Sequence, residues 1–288
     1  MPKYTPFTPS NVIKTKGNSS IFSTQNPIVM GILNITDDSF YDGGKYVNER
    51  DIIVQTKKML EEGASIIDIG AQSSQPGATL LRTEEELLKL LPIIKLLKTE
   101  IPKIIISIDT FWSKTAQECV QAGADIINDI SAGEIDNTMF NTIAQLQVPY
   151  IIMHMKGTPQ NMQKNPTYSN VVTEIIAYFK KKILILRDKG VEQIIIDPGF
   201  GFGKTLAHNY HILSRLEEFN QFNLPVLVGT SRKSMIYKLL DKKPQEALNG
   251  TSITNTIALQ KGVSILRVHD VKEAIECIKI TTFAKNLA

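Results

Sequence analysis

Short apolar runs recur along the chain, at residues 27–33, 65–70, 103–109, 125–128, 149–153, 193–197, 225–229 and 264–268. They are rich in Ile and Val and do not alternate strictly with polar residues. That is the pattern of strands covered on both faces of a parallel sheet. Amphipathic stretches of helical length lie between them, at 87–97, 113–122, 171–189, 208–216 and 253–261. Thr83-Glu-Glu-Glu86 reads as a capping box opening the first of these, and Pro92 within it predicts a kink or a break. Eight strands alternating with helices predict an α/β fold, a single (β/α)8 TIM barrel over residues 27–288. A doubly wound open sheet is the alternative with the same alternation. Residues 1–26 carry no such pattern and read as an N-terminal leader, with a short hairpin over the barrel bottom.

The polar residues fall at the ends of these runs. The first six end at Asn34, Asp68, Asp109, Asn128, His154 and Asp197; the seventh leads to Ser231 and Lys233; the eighth carries Arg267 and His269. In a parallel barrel all such ends converge on one mouth, where active sites sit. Taken singly, an Asp or Asn after a strand is a cap or turn residue for the next helix, and Asp68 and Asp129 are read that way. His154 alone reads as a satisfied structural histidine. Capping does not explain Lys, Arg and His at the same mouth, and buried charges are costly unless paired or used by a ligand.

Three segments add detail. Residues 34–44 are long, acidic and end in glycines, as a lid would; residues 70–77 form a second loop of small residues. Residues 199–205 invite a phosphate-loop reading, but the spacing is wrong and Pro198 stands where the first glycine belongs.

Composition narrows the class. The 288 residues are 42% hydrophobic and 21% charged with net charge +3, so no basic face points to nucleic acid. Cys119 and Cys277 lie in helical stretches, form no CxxC pair and join no zinc-like cluster; they read as thiols in a reducing cytosol. The first 25 residues lack a signal-peptide core, and no apolar run approaches the roughly 20 residues of a membrane span. A cytoplasmic enzyme is expected.

The motifs then resemble a known family. GILNITDDSFYDG at 31–43 and DIGAQSSQPGA at 68–78 are similar to the two signatures of the dihydropteroate synthases. SIDT at 107–110, INDI at 127–130, MHM at 153–155, DPGFGFGK at 197–204, GTSRK at 229–233 and RVH at 267–269 match the remaining motifs in order. The resemblance implies a barrel that condenses 6-hydroxymethyl-7,8-dihydropterin pyrophosphate with p-aminobenzoate, releasing pyrophosphate. It implies Mg²⁺, competition by sulfonamides and a homodimer formed through helices near the C-terminus. It gives Asp109, Lys233, Arg267 and His269 catalytic roles. It assigns the pterin to Asp109, Asn128, Asp197, Lys233 and Arg267, and p-aminobenzoate to Ser39, Phe40, Ser74, Gln75, Pro76, Phe202 and Ser231. The leaving pyrophosphate falls to Asn34 with the metal, plus Arg267 and His269. One position departs from the family: Gln75 stands where Arg usually precedes the loop proline, and a neutral amide cannot supply that charge.

Two other functions remain open on the sequence. A corrinoid methyltransferase-like pterin barrel would share the pterin-edge residues but has no need of the Ser231-Arg-Lys233 segment or the acidic lid. A non-catalytic pterin binder is favoured only by Gln75.

Overall fold

The computed structural model describes residues 12–15, 18–23, 26–35, 49–72 and 80–287. An antiparallel hairpin, β1 (Val12–Thr15) and β2 (Asn18–Ser23), precedes the barrel. Eight parallel strands follow: β3 (Ile28–Asn34), β4 (Ile66–Gly70), β5 (Ile106–Asp109), β6 (Ile126–Asp129), β7 (Tyr150–Met153), β8 (Ile194–Asp197), β9 (Leu227–Val228) and β10 (Ile265–Val268). Their order is β8-β7-β6-β5-β4-β3-β10-β9. A parallel bridge between Ile196 and Val226 brings the last strand against the first. The barrel, and not an open sheet, is the fold.

Nine α-helices of the described residues surround it: α1 (Glu49–Glu61), α2 (Thr83–Glu100), α3 (Ser113–Gln121), α4 (Met139–Leu146), α5 (Val171–Asp188), α6 (Leu206–Ser214), α7 (Ser234–Tyr237), α8 (Leu248–Gln260) and α9 (Val271–Lys285). Two differ from the sequence pattern. Helix α2 runs unbroken through Pro92. The carbonyl that the missing proline N–H leaves free belongs to Leu88, which is 78% exposed and open to water. The box at its start uses Glu85, whose carboxylate accepts from Arg82 N–H at 2.8 Å; Glu86 points into the protein instead. Helix α8 begins at Leu248, five residues before the pattern suggests.

Strand alternation builds two cores. Outward residues such as Val29, Ile67, Ile106, Ile127, Ile152 and Leu266 pack under the helices. Inward, Met30, Ile66, Ile105, Ile126, Ile151, Ile195, Leu227 and Ile265 form a separate cluster at the barrel floor, and Ile13 of the hairpin joins it. The hairpin thus closes the bottom with an apolar side chain, and polar groups are left to the top.

Candidate active site at the barrel mouth

Each inward apolar residue is followed, two positions later, by the next inward residue, because strand side chains repeat every second residue. Five strands switch from apolar to polar at that step. Ile66 gives way to Asp68, Ile105 to Ser107 and then Asp109, Ile126 to Asn128, Ile195 to Asp197, and Ile265 to Arg267. Pairing keeps them level: Asp68 lies beside Ser107, Asp109 beside Asn128, and Met153 beside Asp197.

Asp68 is the hub of this layer. Arg267 Nε donates to Asp68 Oδ2 at 2.7 Å, and Asn128 Nδ2 donates to the same oxygen at 3.1 Å. Arg267 Nη2 donates to Asp109 Oδ2 at 2.8 Å. The cap reading of Asp68 is therefore wrong. It occupies an inward position inside β4, which continues to Gly70, and has no helix end to cap. Asp129 sits at an outward position and behaves as a turn residue. It accepts from Ser131 N–H, Gly133 N–H and the Tyr150 hydroxyl at 2.6–2.8 Å. Strand parity separates two acids that look alike in the sequence.

Burial pushes the Asp109 carboxyl up to about 7, against the pull of the Arg267 guanidinium; Asp68, Glu86 and Asp129 push the same way as burial. Burial likewise raises Asp197, which Lys233 opposes. Lys233 Nζ donates to the Phe200 carbonyl at 2.7 Å and lies 4.7 Å from the centre of the Phe202 ring. Burial brings its ammonium down to about 8, resisted by Asp197. The site thus holds an acceptor, Asp197, and a donor, Lys233, whose charges oppose each other's desolvation.

The glycine-rich segment after β8 is held from below. Lys204, 3% exposed, donates to the carbonyls of His154, Gly199 and Phe202 at 2.8–3.1 Å, and its Nζ lies 3.1 Å from His154 Nδ1. Burial pulls His154 down to about 2, so it is a neutral acceptor, as a structural histidine is. Gly199 has φ +71°, and a side chain there would meet the His154 carbonyl at 2.0 Å; only glycine fits. Asp197 Oδ1 accepts from Gly199 N–H at 2.7 Å, which aims the carboxylate.

On the opposite side, Ser231 Oγ lies 3.1 Å from His269 Nδ1 and accepts from His269 N–H at 3.2 Å. His269 is exposed at the mouth, yet the protein around its ring still desolvates it. That desolvation, with Arg267, Arg232 and Lys233 nearby, lowers it to about 4. Arg232, with φ +55°, grips Asp270 through two hydrogen bonds of 2.9 and 2.6 Å.

Asn34 ends β3, beside Gly70 of β4. No group of three or more His, Cys, Asp or Glu able to hold a metal occurs among the described residues. A lone carboxamide oxygen is still a hard donor, suited to Mg²⁺ that takes its other ligands from phosphates and water. Of the residues that resemblance assigns to p-aminobenzoate, Phe202 and Ser231 stand at the mouth. Ser39, Phe40, Ser74, Gln75 and Pro76 lie outside the described residues. Sequence reasoning missed Asp68, Glu86 and Arg232; strand parity would have found Asp68.

Comparison with known proteins agrees with this geometry. The family described as "Pterin binding enzyme" matches residues 30–269. The chain is 42% identical to the dihydropteroate synthase of Escherichia coli K12, over 88% of this chain and 90% of that one. A crystal structure of Yersinia pestis dihydropteroate synthase in a sulfonamide drug complex superposes with TM-score 0.89 at 39% identity, covering 96% of this chain and all of that one. Xanthomonas albilineans dihydropteroate synthase with 4-aminobenzoic acid gives TM-score 0.85 at 35% identity, covering 92% and 95%.

Proposed function

This chain belongs to the dihydropteroate synthase family of pterin-binding enzymes, and on that premise we propose how its barrel mouth carries the reaction. The activity is transfer of a pterin methylene group: 6-hydroxymethyl-7,8-dihydropterin pyrophosphate and p-aminobenzoate give 7,8-dihydropteroate and pyrophosphate.

The observation that carries the assignment of roles is the connected polar layer, in which Asp68 holds both Arg267 and Asn128 while Arg267 holds Asp109. A pterin edge presents an amino group and a ring N–H next to a carbonyl. The Asp197 carboxylate accepts both N–H groups, Asn128 donates and accepts, and Lys233 donates on the carbonyl side. The Arg267 guanidinium, already fixed by two carboxylates, offers its face to the ring. Asn34 would hold Mg²⁺ through its carboxamide oxygen, and the ion would supply charge neutralisation for pyrophosphate. Arg267 and His269 add donors to the same anion.

The methylene C–O bond breaks first, and its electron pair leaves with pyrophosphate. Positive charge then spreads from the methylene carbon into the pterin, and ionised Asp109 stabilises it. The amine lone pair of p-aminobenzoate forms the new C–N bond, and the amine loses a proton to solvent. Against a cation the weak aromatic amine needs no activating base. Phe202 and Ser231, with Ser39, Phe40, Ser74, Gln75 and Pro76 of the two mouth loops, shape the p-aminobenzoate pocket, where sulfonamides compete.

Pyrophosphate release with Mg²⁺ and both substrates is the test. Release at the same rate without p-aminobenzoate would remove the synthase reading, and transfer of a methyl group from a reduced folate would favour the corrinoid-linked alternative.

The protein acts as a homodimer in the cytoplasm. Helices α8 and α9 leave Ile253 50%, Ile280 70% and Phe283 70% exposed along one face, an apolar stripe suited to a second copy. No described helix is long and apolar enough to cross a membrane.

A further inference from the structure

Glu86 has no place in the chemistry above, yet it is the most thoroughly enclosed acid of the helical layer, with no exposed surface. It lies in the first turn of α2, where Glu84 and Glu85 face outward. Thr110 Oγ1 donates to Glu86 Oε2 at 2.7 Å and accepts from Trp112 N–H at 3.2 Å. Thr110 N–H donates in turn to the Asn128 carbonyl at 3.0 Å. Thr110 directly follows Asp109, so the hydrogen bond to Glu86 acts on the residue next to the proposed charge stabiliser.

The same acid meets the root of the second mouth loop. The Gln72 side chain lies against the Glu86 carboxyl. It also pairs with the Leu81 backbone on both sides: its Nε2 donates to Leu81 O and its Oε1 accepts from Leu81 N–H, each at 3.0 Å. The Trp112 indole donates to the same Leu81 oxygen at 3.0 Å. Residues 72 and 81 bracket the segment containing Ser74, Gln75 and Pro76.

Two buried atoms in this group lack hydrogen-bond partners among the described residues, Glu86 Oε1 and Thr115 Oγ1. Thr115 lies on α3 and faces the Glu86 carboxyl. The pocket is enclosed, and the hydroxyl of Thr110 is the partner that holds the carboxyl in it.

We propose that Glu86 is a positioning residue for the transfer reaction: its carboxyl braces Thr110, and through it Asp109, against Gln72 at the root of the second mouth loop. This rests on the functional reading above. Burial holding the Glu86 carboxyl up at about 7, with Thr110, Thr115 and Gln72 drawing it down, agrees with the geometry. The ionisable groups that face Glu86 are Cys119 of α3 and Asp109 of β5. Those that face Asp109 are Arg267, Asp68, Glu86 and Asp129, with Lys233 across the mouth.

The test compares Glu86→Gln, Glu86→Ala and wild type. The amide keeps an acceptor for Thr110 and a donor for Thr115 but never carries charge. Glu86→Gln should keep kcat at pH 8 within about threefold. It should also move the Asp109 titration, read by carbon NMR of the carboxyl without any turnover, to lower pH by about half a unit or more, since a like charge is gone. The acid limb of kcat should move with it. Glu86→Ala should lose about tenfold or more in kcat with the Michaelis constant for the pterin pyrophosphate little changed. An unmoved Asp109 titration in Glu86→Gln would overturn the proposal. So would a Glu86→Ala enzyme that loses only thermal stability while kcat stays within twofold. An inactive wild type would instead overturn the functional reading, and the NMR titration still decides the coupling of Glu86 to Asp109. Should Glu86→Ala fail to fold, Thr110→Val replaces it, with the same loss of kcat expected.

Discussion

At the scale of single residues, Asp109 combines two demands that pull apart. Its carboxyl is held up near 7 by burial against the usual value of 3.8, yet the reaction wants it ionised. The ionised form is disfavoured in the folded state relative to the unfolded chain. Its contribution to stability is therefore present at low pH and is lost as pH rises from about 4 through about 7. Asp109→Asn should remove that loss. Its melting temperature at pH 8 should equal or exceed that of wild type, while kcat falls by about 10²–10³ and pterin affinity stays within a few-fold. The carboxylate meets charge that exists only once the C–O bond breaks, so turnover suffers and ground-state binding does not. Equal losses in affinity and kcat, by calorimetry and steady-state kinetics, would make Asp109 a ground-state contact. Gln75 poses a question of charge alone. If the second loop needs a cation to order over pyrophosphate, Gln75→Arg should lower the Michaelis constant for p-aminobenzoate, and only with pterin pyrophosphate bound. An unchanged constant at saturating pterin pyrophosphate would sink the charge argument, while a change confined to sulfonamide inhibition would assign Gln75 to discrimination.

At the scale of elements, the mouth depends on how the ends of β9 and β10 are tied together. Arg232 stands between Ser231 and Lys233, and Asp270 follows His269. The two hydrogen bonds of 2.9 and 2.6 Å between them fix three functional side chains, Ser231, Lys233 and His269, relative to one another. Arg232 N–H also donates to Thr251 Oγ1 of α8 at 3.1 Å. A planar fork sets both distance and angle, whereas an ammonium sets distance only. Arg232→Lys should therefore keep the fold but lower kcat by about ten- to a hundredfold, the cost of a misplacement near 1 Å, and Asp270→Asn should do the same. Double-mutant kinetics test the pair: losses that multiply in the double variant would mean the two residues act separately. Helix α2 teaches a complementary lesson. Its pattern was legible, but Pro92 does not break it, because the carbonyl left free faces solvent. The box at its start shifted by one residue, because Glu86 had a buried partner in Thr110 that no local pattern discloses.

At the scale of the whole molecule, the apolar face of α8 and α9 leads to a measurable consequence. Sedimentation should give a dimer near micromolar concentration, and Ile280→Glu with Phe283→Glu should yield a folded monomer; a wild type that stays monomeric at high concentration would count against the interface. The fold itself was legible because it rests on period and order. Ile-rich runs separated by helical stretches admit few topologies, and the ordered motifs from Gly31 to His269 identified the family. The residues at strand ends were legible as a set because a parallel barrel brings them to one mouth. Which of them face inward was not, since that depends on register, and register is fixed by neighbouring strands. Asp68 and Asp129 follow the same kind of apolar run, yet one became the hub of the site and the other a turn, through a difference of one position in parity. The sequence by itself determined the strands, the mouth and the chemistry available there. Only the tertiary structure decided that Asp68 binds Arg267, that Lys204 pins the glycine-rich loop and that Glu86 lies beneath Asp109, because each of those contacts joins residues from separate elements whose meeting is set by barrel closure.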